Sequence, residues 1–167
     1  MDPLSLVVNN KDGSTAYMHA ETQDWSKGSV RALAASGLHR FSKLQGQGSI
    51  TFMGDVSGET TIYEFTGTPS AANGYTSADS GFYGGIFMAG SCDSRVQLNI
   101  SGAHWQNAYV DLTPGKASAY NRTGTASGTV LNILGNTQLL GLDGVTAAST
   151  VTSNSGDYSY TLTLGDS

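Results

Sequence analysis

The sequence predicts an all-β fold, an antiparallel β-sandwich or barrel of about 8–10 strands, because short alternating apolar runs recur between clusters of Gly, Asn, Asp and Ser. Composition points the same way. Of 167 residues, 22 are Gly, 21 Ser and 18 Thr, and only 13% are charged, about half the usual ~25%. A helical bundle needs Ala, Leu, Glu, Lys and Arg in quantity. A disordered chain would lack the aromatic and β-branched residues that are scattered throughout this one. The length suits one domain, residues 1–167, large enough to bury its own core.

From the N-terminus, residues 4–9 and 15–21 read as strands on either side of Asp12-Gly13, a strong hairpin signal. Residues 29–36 read as the one short helix, with Ser29 as its N-cap and Gly37 as its stop. Residues 48–53 and 60–67 alternate about Ser57-Gly58. A two-residue turn there sets Phe52 opposite Tyr63 and Ile50 opposite Phe65, placing four large side chains on one face. Residues 67–81, with Pro69, Asn73-Gly74 and Tyr75, read as a long surface loop able to meet a ligand.

Residues 82–88 follow as a core strand bent by glycines. Strands 95–101 and 105–112 come next, then 129–134, 149–153 and 158–164. A turn at Ser155-Gly156 sets Val151 opposite Tyr160, with Thr150, Thr152, Ser159, Thr161 and Thr163 on the other face. No repeat of fixed period is visible, which argues against a solenoid or propeller.

The acidic balance, −5 at neutral pH, excludes nucleic acid as a natural partner, since that affinity rests on basic clusters that neutralise phosphates. Cys92 has no second cysteine to pair with. Met1 leads almost directly into the first apolar run, so the expectation is a cytoplasmic protein or one released without a Sec leader. Asn99-Ile-Ser and Asn121-Arg-Thr match glycosylation sequons, read here as chance matches. No apolar run approaches the roughly 18 residues of a membrane helix. Membrane contact through the aromatic, glycine-rich 81–90 segment has no further support.

Catalytic signatures are missing: there is no nucleophile elbow, no His-Glu-x-x-His and no phosphate-binding loop ending in Gly-Lys-Ser/Thr. His19, His39, His104 and Cys92 lie far apart in sequence, so neither a metal nor a cofactor is expected. A Ser/His/Asp site would require tertiary convergence.

The most informative stretch is 95–112. Val96, Leu98 and Ile100 alternate with polar residues, as do Ala108, Val110 and Leu112. A hairpin with Gly102-Ala103-His104 as its connection sets Arg95 opposite Asp111, Gln97 opposite Tyr109 and Asn99 opposite Asn107. Its polar face then carries Arg95, Gln97, Asn99, Trp105, Asn107, Tyr109 and Asp111, with Tyr75 from the long loop as a further ligand contact. Flat rings give an apolar platform and amides and carboxylates orient hydroxyls, a combination suited to sugars. The functional expectation is a non-catalytic, lectin-like or toxin-component-like protein that binds a glycan or cell-surface ligand, and that can form a homo-oligomer. The alternatives are a structural subunit of a virion or other self-assembling particle, and a hydrolase with a tertiary Ser/His/Asp site.

Overall fold

The computed structural model describes residues 6–9, 16–18, 30–33, 36–41, 44–54, 56–65, 82–90, 93–102, 105–116, 127–144, 147–153 and 159–165. Within them lie the strands β1 (Leu6–Asn9), β2 (Ala16–Met18), β3 (Val30–Leu33), β4 (Gly37–Phe41), β5 (Leu44–Gly54), β6 (Thr60–Phe65) and β7 (Phe82–Gly90). The series continues with β8 (Arg95–Gly102), β9 (Ala108–Lys116), β10 (Gly128–Leu139), β11 (Gly141–Asp143), β12 (Ser149–Thr152) and β13 (Leu162–Leu164).

These strands form two sheets. One has the order β11-β9-β7-β5-β3-β2, with β1 also on β5; the other runs β12-β10-β8-β6-β4, with β13 also on β10. From β3 to β12 each strand lies in the opposite sheet from the one before it, and every pairing is parallel. The chain therefore winds as a coil, each turn adding one strand to each sheet. This overturns the expected antiparallel β-sandwich or barrel, and with it the lectin-like sandwich.

The winding is that of a solenoid, contrary to expectation, for a visible reason. Val30, Ile50, Ile86, Val110 and Leu142 stack as register partners across the seven-stranded sheet, yet they are separated by 20, 36, 24 and 32 residues. The turns of the coil differ so much in length that the structural repeat leaves no fixed period in the sequence. Across the other sheet the matching column is His39, Tyr63, Leu98, Leu131 and Val151.

Ile50, Ile86 and Val110 of the first column and Tyr63, Leu98 and Leu131 of the second belong to one core, with Leu44, Phe52, Phe65, Phe82, Met88, Ile100 and Leu139. Phe52 and Tyr63 do come together, with ring centroids 4.7 Å apart. They meet across the interior, one from each sheet, and the Tyr63 hydroxyl donates to the Met53 carbonyl at 2.7 Å. Ser57-Gly58 is thus a corner between sheets, closed by Glu59 N–H to the Val56 carbonyl at 3.2 Å, and no hairpin forms there. Alternation puts Phe52 near Tyr63 under either arrangement, so it does not choose between them.

The expected helix at 29–36 is also replaced: 30–33 is β3, paired with β2 and β5. Gly37, read as a helix stop, has φ +104 and opens β4. Its freedom to take that angle serves a corner as well as it would a helix end. The proposed hairpin at Ser155-Gly156 fails too, because β12 and β13 both run parallel to β10, end to end along it. Asp12-Gly13 lies outside the described residues.

Candidate functional site

The expected hairpin face is divided by the coil. β8 and β9 belong to different sheets, and with Val96, Leu98, Ala108 and Val110 all buried between them, their polar sides point away from each other. Arg95, Gln97 and Asn99 lie on the outward face of the six-stranded sheet, while Tyr109 and Asp111 lie on the outward face of the seven-stranded sheet. None of the three expected cross-strand pairs forms. Asn107 is half-buried before β9, where its carbonyl accepts from Gly84 N–H at 3.2 Å.

Trp105 belongs to neither face. It is fully buried, its Nε1 donates to the Ser101 carbonyl at 3.1 Å, and its ring meets Phe65 edge-on at 5.4 Å. It sits in the turn that carries the chain from β8 to β9, where a period of two no longer fixes side-chain direction, and it fills the space between the sheets. Tyr75, His19, His104, Cys92 and the 67–81 loop lie outside the described residues. His39 is half-buried, its ring 6.2 Å from that of Tyr63.

On the six-stranded sheet the outward polar side chains hold one another. Glu64, Asn99 and Asn132 are register partners across β6, β8 and β10. Asn99 Nδ2 donates to Glu64 Oε2 at 2.8 Å, and Asn99 Oδ1 accepts from Gln97 Nε2 at 2.7 Å and from Asn132 Nδ2 at 3.2 Å. Asn99 and Asn132 keep only 5% and 1% exposure. Burial of two amides is tolerated because the ladder satisfies them.

The seven-stranded sheet is built differently. Gly85, Tyr109 and Gly141 form one row across β7, β9 and β11, and Phe87, Asp111 and Asp143 form the next. A Cβ on Gly141 would stand 2.8 Å from Tyr109 Cδ2, and one on Gly85 would stand 2.7 Å from Phe87 Cε2. Each ring therefore lies back over a glycine, and both remain more than a third exposed. The Tyr109 hydroxyl donates to Asp143 Oδ2 at 3.3 Å. Asp111 Oδ1 accepts from Thr113 N–H at 2.8 Å and Asp143 Oδ1 from Gly144 N–H at 2.7 Å. Desolvation of the Tyr109 phenol, then the neighbouring charge and hydrogen bond of Asp143, then Asp111, push its pKa above the ordinary 10.0.

Sequence reasoning missed Phe87, Asp143 and the two glycines. Asp143 sits on a three-residue strand too short to show a period, and only the parallel register sets it beside Asp111. Among the described residues there is no group of three or more His, Cys, Asp or Glu placed to hold a metal ion. Comparison with protein-family models, with curated proteins and with solved structures finds no match. The carbohydrate-binding, lectin-like expectation thus has no relative behind it, and the surface chemistry alone supports a functional reading.

Proposed function

We propose that this chain is a non-catalytic recognition protein that holds a glycan or similar hydroxyl-rich cell-surface ligand on the outward face of its seven-stranded sheet. The observation that carries this reading is the exposed Tyr109 ring laid over Gly141, beside two carboxylates whose positions are fixed by backbone N–H groups. An aromatic plane receives the apolar face of a sugar ring, and carboxylate oxygens accept from its hydroxyls. Holding the acceptors in place beforehand lowers the entropic cost of binding.

The test is a glycan-binding screen on the purified protein, followed by Tyr109→Ala and Asp111→Asn. Tyr109→Ala is expected to weaken binding more than tenfold while leaving the thermal midpoint within a few degrees. Unchanged affinity in the folded Tyr109→Ala protein would remove this face from consideration.

A structural role as a self-assembling subunit is the second reading, and the last turn of the coil favours it. Val151 continues a column whose inner members Tyr63, Leu98 and Leu131 are fully buried, yet it is 45% exposed, and Leu164 is 52% exposed. Among the described residues no strand pairs with the outer edges of β12 and β13, and unpaired edges of this kind are templates for another chain. Light scattering over a concentration series decides it: growth in mass supports end-on assembly, and a monomer at high concentration counts against it.

A further inference from the structure

Between Ile133 and Thr137, β10 takes four steps while its partner β8 takes two, from Ile100 to Gly102. Extra residues of this kind bend a strand and re-aim its side chains, and such bulges recur beside binding sites. Here the bulge opens a groove of about 400 Å³ lined by Gly102, Asn136, Thr137, Gln138, Thr161 and Thr163. That volume is at the lower end of the ~300–1,000 Å³ range of small-molecule sites. Gly102, with φ +96, contributes wall without a side chain.

The polar groups of the groove are half-committed. Asn136 Oδ1 accepts from Thr161 N–H at 3.0 Å, which leaves its Nδ2 to donate. Gln138 Nε2 donates to the Gly165 carbonyl at 3.3 Å, which leaves its Oε1 to accept. The Thr161 and Thr163 hydroxyls do both. The described lining residues are all uncharged.

We propose that this groove is a second binding site, separate from the Tyr109 face, and that it takes a neutral hydroxyl-bearing ring such as one uncharged saccharide unit. Amide and hydroxyl lining meets alternating donors and acceptors, which a polyol presents and an ion does not. The site is independent of the recognition face on the other sheet.

The test titrates isotope-labelled protein with glucose, galactose, N-acetylglucosamine and maltotriose, and follows the side-chain amides of Asn136 and Gln138 by NMR. A saturable shift of these signals with at least one sugar is expected, retained in Tyr109→Ala and weakened at least tenfold in the double variant Thr161→Val/Thr163→Val. Valine keeps the β-branched shape and removes only the hydroxyls. Three results would overturn the site: no shift at Asn136 and Gln138 with any sugar, shifts confined to the Tyr109 face, or equal affinity in the double valine variant. Loss of the groove signals in Tyr109→Ala would also overturn its independence.

Discussion

The two outward faces use similar residues to opposite ends. On the six-stranded sheet Glu64, Gln97, Asn99 and Asn132 bind one another and two of them are buried. On the seven-stranded sheet Gly85 and Gly141 stand on either side of Tyr109 in its row, and Phe87 folds back over Gly85 of its own strand, so both rings stay open beside Asp111 and Asp143. What separates them is the row neighbour. A polar side chain flanked by polar side chains closes on its neighbours, and a ring flanked by glycines stays available to something else.

The largest effect lies beneath both faces. Trp105→Ala empties a fully buried site between the sheets and is expected to cost about 3–5 kcal/mol of stability, read from denaturant midpoints. A folded Trp105→Ala protein of unchanged midpoint that loses ligand affinity would return this residue to the surface and break the comparison.

Next is Asn99→Leu, which removes the centre of the amide ladder and breaks its hydrogen bonds to Gln97, Glu64 and Asn132. The expected loss is about 1–3 kcal/mol, with ligand binding at the Tyr109 face unaltered. Stability unaffected by this change would show that the ladder is decoration.

Gly141→Ala pushes a methyl to 2.8 Å from Tyr109 Cδ2, so the ring must lift. Ligand affinity should fall several-fold while stability changes by less than ~1 kcal/mol. If affinity holds, the flat pose of Tyr109 is not what the ligand reads.

The smallest effect is electrostatic. Because its pKa is raised in the fold, Tyr109 favours the neutral form, and the stability it contributes is present below its ordinary pKa of 10.0 and lost as pH rises through the raised value. Asp143→Asn should lower the midpoint of Tyr109 ionisation part of the way back toward that ordinary value, since desolvation, the larger cause, remains. The ring carbon signal of Tyr109 followed by NMR against pH reads this, and an unmoved midpoint would uncouple the pair.

Much of the strand content was legible in the sequence because period-two alternation reports a half-buried strand whatever its partner. The predicted runs at 48–53, 60–67, 82–88, 95–101 and 129–134 all overlap observed strands. β3 reads as part of a helix, and β4 and β11 go unread, because runs of three to five residues carry too little pattern. Of the candidate site, Tyr109 and Asp111 share a face as expected, whereas Arg95, Gln97 and Asn99 turn away on the other sheet and Trp105 goes inside.

The sequence by itself determined that the chain is β-rich, acidic, and built of apolar runs each with one face to bury. Tertiary structure decided the direction of pairing, and therefore which polar residues become neighbours. The physical reason is that an apolar face is satisfied equally by a hairpin partner beside it or by a second sheet opposite it. Phe52 and Tyr63 meet either way, and only the winding of the chain between two sheets sets Tyr109 beside Gly141 and Asp111 beside Asp143.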